Sequence, residues 1–310
     1  MKLYLKIFFT VFFSLFVFTN TVCAKAVYFN EEAYINEKLA SIGFGKYITK
    51  DPKDEIVQLF ANIDKYSDNG DIKRLRYFFS KDFINNDGFD YTTYLKSVKD
   101  GADTITNRKS KTEILDINVF ENYAIVHVKE NGEATTVKES PDNLGKGILI
   151  LNAEIYYTLQ KEGRSWKILS ANVVDEVCRM LYGDAKNMYF SLNTPMQVKE
   201  NAEYTATLSF NQIPGSVAMS SISSEPIIYP VPKNKDIFKT VKQDGVLERI
   251  FKANSTGYNE YVIASVGITK PEMLSDGAVN VRVIGTAYVL KRVNIFSVSK
   301  SNAKGAIGNK

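Results

Sequence analysis

His127 is the only histidine among 310 residues, and that count limits the available chemistry at once. One imidazole cannot build a His-pair metal site. No His-Glu-x-x-His, phosphate-binding loop or nucleophile elbow occurs in the chain either. The two cysteines, Cys23 and Cys178, are too few for a zinc or iron–sulfur cluster. The sequence therefore predicts no metal, no cofactor and no assigned catalytic residue. What remains are carboxylates, tyrosines and amides at strand-like spacing. Asp116, His127, Glu154, Tyr156 and Asn172 are the candidates for ligand contact.

These residues must be placed by strands. From Thr112 the apolar period changes to two, and Glu113 to Val119, Tyr123 to Asn131, Lys146 to Leu159 and Arg164 to Val174 read as four strands. Phe120-Glu121-Asn122 and Lys161-Glu162-Gly163 are compact enough to close hairpins, so the sheet is expected to be antiparallel. Parity sorts its residues onto two faces. Leu115, Ile117, Val126, Val128, Leu151 and Ile155 belong to a uniformly apolar face, with Leu169 and Ala171. Asp116, His127, Glu154, Tyr156 and Asn172 share the opposite, mixed face with Trp166 and Ile168. The apolar face is expected under the helices and the mixed face outward. An inverted sheet would instead turn Asp116, Glu154 and Tyr156 into an enclosed cavity.

Helical signals precede the strands. Asp51 before Pro52 is a cap followed by a first-turn proline, and Ile56, Leu59, Phe60, Ile63 and Tyr66 form one stripe. Asn69-Gly70 turns the chain. Asp71 is expected to cap a second helix carrying Ile72, Leu75, Phe78 and Phe79, and Asp90 a third ending near Gly101. Helices followed by strands is an α+β order rather than a doubly wound one.

Beyond a linker-like stretch from Arg179 to Asn187 the chain reads as all-β. Strands are expected at Met188–Leu192, Glu203–Phe210, Ser216–Ser223, Val246–Ala253, Glu260–Ile268, Val279–Leu290 and Val293–Val298. That spacing suggests a β-sandwich. Between two of these strands, Pro226 to Pro232 holds three prolines in seven residues, which favours an extended edge segment or loop. Ile227, Ile228 and Tyr229 within it are candidates for contact with a partner protein, against the plainer reading of a crossover that protects a sheet edge.

Three helices followed by a curved antiparallel sheet, with Gly163-Arg164-Ser165-Trp166-Lys167-Ile168 opening its last strand, resemble the NTF2-like (SnoaL-like) superfamily. The resemblance covers about Asp51 to Asp175 and implies a cone-shaped α+β fold. Members include isomerases, dehydratases, transport adaptors and secretion-system parts. In an enzyme of this type His127 would be a pocket acid or base, and Asp116 or Glu154 beside Tyr156 a general base of raised pKa. No residue here matches the catalytic pattern of the ketosteroid isomerases. The all-β half resembles immunoglobulin-like modules in architecture, without their Cys–Trp–Cys core.

Five segments follow: a signal peptide over 1–24, an N-terminal extension over 25–50, an NTF2-like domain over 51–176, an immunoglobulin-like β-sandwich over 188–298 and a flexible tail over 299–310. The first is read from Lys2 and Lys6, an apolar run from Ile7 to Phe18, and Val22-Cys23-Ala24 ahead of the expected cleavage. Val22 is larger than the residue expected before a lipidated cysteine. The formal charge of +4 falls to about +2 without Lys2 and Lys6, and the basic residues are interleaved with acids along the sequence, which argues against nucleic acid. The chain is thus expected to be an exported, cofactor-free binding or assembly module, periplasmic or extracellular. Its partner would be an envelope protein or a small apolar ligand, and it would touch a membrane only through an uncleaved signal segment. The alternative is a small-molecule isomerase, dehydratase or hydrolase using a cavity carboxylate.

Overall fold

The computed structural model describes residues 51–140, 142–230, 239–240, 245–275 and 278–297. The signal peptide, the extension over 25–50 and the tail lie outside the described residues.

Two compact units divide the chain. Among the described residues, one takes those within 51–137 and 150–173, the other those within 138–149 and 174–297. In the first, helix α1 (Pro52–Asp68) starts where Asp51 accepts from the Lys53 backbone N–H at 2.8 Å, with Pro52 in its first turn. Ile56, Leu59, Phe60 and Ile63 are buried along one side. Gly70, at φ +65°, reverses the chain. Asp71 then caps α2 (Ile72–Leu75), which tightens into a 3₁₀ turn at Arg76–Phe78. Phe79 is not helical, contrary to the expected second helix. It opens strand β1 (Phe79–Asn85), which pairs in parallel with β5 (Ser165–Gly183). A strand therefore interrupts the expected run of helices. Helix α3 (Tyr91–Ala102) follows with Asp90 as its cap, accepting from the Thr93 N–H.

Strands β2 (Ile105–Phe120), β3 (Tyr123–Glu139) and β4 (Lys146–Glu162) follow in sequence, and the order β2-β3-β4-β5 confirms local connectivity. All are longer than expected. Phe60, Phe79, Phe83, Tyr94 and Tyr157 are buried, with ring centroids 4.8–5.4 Å apart for each touching pair. Such pairs add about 0.5–1.5 kcal/mol each beyond area burial. Ala124, Val126, Val128, Ile155 and Tyr157 form the buried side of the sheet.

Strict parity fails at two places. A register shift between Ile114 and Asp116 puts Leu115 in a bulge, where it is exposed. On β5 the buried alternation passes from Trp166 and Ile168 to Ala171 and Val173, a slip of one residue. Trp166 and Ile168 are thus buried with Ala171 and Val173 rather than exposed, and Leu169 is only half-buried. One inserted residue inverts every later side chain, so uninterrupted alternation misplaces them.

In the second unit, residues 177–183 of β5 pair with the long strand β13 (Val279–Phe296). The Arg179–Asn187 stretch is therefore strand and a 3₁₀ turn (Asp184–Asn187), not a linker. β13 also pairs with β12 (Glu260–Met273) and β7 (Gln197–Lys199), and β12 with β9 (Val217–Pro226), which pairs with β10 (Lys239–Thr240). The two strands expected at Val279–Leu290 and Val293–Val298 are one through Phe296. A second sheet, of order β11-β8-β6, joins Val246–Lys252, Glu203–Phe210 and Phe190–Asn193. Tyr204 of that sheet donates to Glu260 Oε2 of β12 at 2.8 Å. Glu176 and Arg292 are buried together, their charged atoms 3.8 Å apart, and Tyr261 donates to Glu176 Oε2 at 3.0 Å.

Candidate functional site

Antiparallel register brings four of the five expected residues together. β2 pairs with β3 so that Asp116 lies opposite His127. Asn118 donates to Asp116. From β4, Glu154 Oε1 lies 2.8 Å from His127 Nε2, and the Tyr156 ring stacks on the imidazole at 4.1 Å and 7° between planes. The cluster sits on the outward face. The His127 and Glu154 side chains are 20% and 35% exposed, enough for solvent to screen their pairing. Phe120, Tyr123 and Ile125 are exposed on the same side of β2 and β3. Together they make an aromatic and aliphatic patch around a polar centre.

Asn172 does not join this cluster. Its Oδ1 accepts from Asn86 Nδ2 at 2.9 Å, tying β5 to the loop after β1. In the other unit Ile227 is fully buried and donates its backbone N–H to the Asn259 carbonyl at 2.7 Å. Ile227 therefore offers no surface to a partner, because the extended segment is tied down by its backbone. Ile228 and Tyr229 are half-buried.

The inward face carries polar groups that sequence parity did not single out. Asp64 lies on the buried stripe of α1, where Thr112 donates to its Oδ1 at 3.0 Å. Burial raises the Asp64 carboxyl to about 8, the nearby Asp68 adding to the effect and the Thr112 bond opposing it. Asp64 is thus neutral across most of the physiological range. Tyr157 donates to Glu130 Oε1 at 2.9 Å, and burial first, then the Glu130 charge, pushes its phenol well above the ordinary value. The signal for both acids was present: Asp64 falls four residues after Phe60, and Glu130 continues the Val126–Val128 parity. A carboxylate on an apolar stripe marks a buried, perturbed group.

No protein-family model matches the chain, and no curated protein matches it by sequence. Among solved structures it is similar to a scytalone dehydratase candidate from Novosphingobium aromaticivorans, at 18% identity over 45% of this chain and 86% of that one, with a TM-score of 0.34. A type 2 hexachlorocyclohexane dehydrochlorinase matches at 12% identity over 45% of this chain and 87% of its own, with a TM-score of 0.34. A protein from Cytophaga hutchinsonii matches at 15% identity over 40% of this chain and 98% of its own, with a TM-score of 0.31. That protein is NTF2-like. Among the described residues, no group of three or more His, Cys, Asp or Glu side chains is arranged to hold a metal ion. No helix among them is long and apolar enough to cross a membrane.

Proposed function

We propose that the protein is an exported, non-catalytic binding module of the cell envelope, and that the outward face of β2–β4 is its contact surface for a partner protein. One observation carries this reading: Asp116, His127, Glu154 and Tyr156 converge on an exposed face beside Phe120, Tyr123 and Ile125. Exposed apolar groups around a fixed polar centre suit recognition. The touching aromatic rings of the inward face leave catalysis by Asp116 or Glu154 without an enclosed site. The partner would present apolar side chains and a cation or hydrogen-bond donor to Glu154. Residues 188–298 are read as an immunoglobulin-like module in the same protein.

The test is site-specific photocrosslinking in the native envelope, with the reactive group at Tyr156, at Ile125 and, as a control, at exposed Glu203. A shared adduct at the first two positions and not the third supports the surface. Equal labelling at all three, or none, ends the reading. Intact mass of the exported chain tests the leader, with a mature start at Lys25 expected; a mass retaining residues 1–24 contradicts cleavage.

A second reading is favoured by Asp64 alone. An inward carboxyl held near neutrality is suited to proton transfer. It requires that small solutes reach the group. Carbodiimide-promoted coupling of an amine to Asp64 in the folded protein would support this enzyme reading, and complete protection would remove it.

A further inference from the structure

Helix α3 presents two faces. Tyr94, Ser97, Val98 and Gly101 are buried, while Thr92, Leu95, Lys96 and Lys99 line an open groove of about 970 Å³. That spacing places Lys96 and Lys99 on one side of the helix. Lys73 and Arg76, from α2 and the turn after it, line the groove as well, with Lys81 of β1 and Arg108 of β2. Six cationic side chains therefore share one concavity with only two acids, Asp71 and Asp103. The local excess, six minus two, equals the formal +4 of the entire chain.

The two acids do not neutralise the groove. Asp71 is committed to its own helix, accepting from the Arg74 N–H at 3.0 Å and pairing with the Arg74 side chain at 3.4 Å. Asp103 acts on Arg108, whose guanidinium donates to the carbonyls of Ser67, Ala102 and Ile105. Burial lowers the Arg108 pKa, yet so strong a base stays charged. Gly70 makes room for it: a Cβ there would meet Arg108 Nη1 at 2.8 Å. Lys73, Arg76, Lys81 and Lys99 have no carboxylate at ion-pair distance among the described residues. Lys81 Nζ is instead held 4.0 Å from the centre of the Tyr91 ring.

Gathering like charges in a concavity costs free energy and raises the local concentration of anions. Lysine ammoniums and arginine forks are the donors that phosphate oxygens take. The volume is at the upper end of the roughly 300–1,000 Å³ of small-ligand sites, so it has room for more than a lone inorganic ion. We propose that this groove binds a small polyanion carrying two or more phosphate groups, either a free phosphorylated compound or a phospholipid headgroup.

The test uses the mature chain and two probes at low ionic strength. Inorganic pyrophosphate is titrated calorimetrically, and vesicles of cardiolipin, whose headgroup carries two phosphates, with phosphatidylcholine are compared with phosphatidylcholine alone by co-sedimentation. The expected result is salt-sensitive binding to at least one phosphate probe. Arg76→Gln and the Lys96→Gln, Lys99→Gln pair should each weaken it about five-fold or more with thermal midpoints preserved. Lys199→Gln, exposed and in the other unit, should bind as wild type. Binding to pyrophosphate assigns a free ligand, and binding only to anionic vesicles assigns a headgroup. Failure of both probes, or groove variants that bind like wild type, overturns the proposal.

Discussion

The hydroxyl of Tyr157 donates to Glu130 at 2.9 Å on the inward side of the sheet, while the next residue, Tyr156, stacks outward on His127. Adjacent tyrosines on one strand thus serve opposite faces, as a period of two requires. The inward one is bonded to the buried Glu130, and the outward one belongs to the exposed cluster. Substitutions of the two should therefore separate folding from binding.

Stability should fall as pH rises from about 4 to about 8, through Asp64. Its carboxyl titrates near 3.8 when unfolded and near 8 in the native state, so between these values the native state holds a proton that the unfolded state has released. The slope of unfolding free energy against pH is then negative, and this contribution is complete below the lower value. The total is on the order of a few kcal/mol. Asp64→Asn keeps an acceptor for Thr112 and removes the titration. Urea midpoints at pH 5 and pH 9 should differ less in the variant than in wild type; parallel pH profiles would contradict the assignment.

Removing the carboxylate of Glu176 should take a charge partner from the buried Arg292. Arg292 is 1% exposed and Glu176 fully buried. Glu176→Ala is expected to cost about 3–5 kcal/mol, also stripping the acceptor from Tyr261. A double replacement, Glu176→Leu with Arg292→Met, should recover much of that loss. Chemical denaturation of the three variants measures both; a single variant within about 1 kcal/mol of wild type would refute the coupling.

Two glycines of similar positive φ should respond differently to alanine. Gly183 has φ +56°, and a Cβ there would collide with the Ile284 carbonyl oxygen. Gly163 has φ +62° with nothing within 4 Å of its Cβ position. Gly163→Ala carries backbone strain alone, about 1 kcal/mol, whereas Gly183→Ala must also displace a strand and should lose at least about 2 kcal/mol more. Thermal midpoints of the two variants compare them directly, and equal shifts would remove the steric argument.

Much of the local structure was legible because its causes are local. Asp51-Pro52 marked the start of α1, Asp90 that of α3, and Glu203–Phe210 was a strand over those same residues. At Phe79 helical spacing continues past Leu75, but pairing with β5 draws the backbone into an extended form. Arg179–Gly183 carried no strand signal stronger than its partner, β13, more than one hundred residues away in sequence. The exposed cluster was legible by parity, but Asn172 was drawn off to Asn86 by the loop after β1.

By itself the sequence determined caps, turns, strand alternation and the lack of a histidine pair, because each depends on neighbours within a few residues. Only the tertiary structure decided which side chains of β2 and β5 face inward, since single-residue slips near Ile114 and Ile168 reset parity where partner strands fix the register. It also decided where charge accumulates. Cations interleaved with acids along the chain separate from them in space, because α2, β1, α3 and β2 each turn theirs toward one groove.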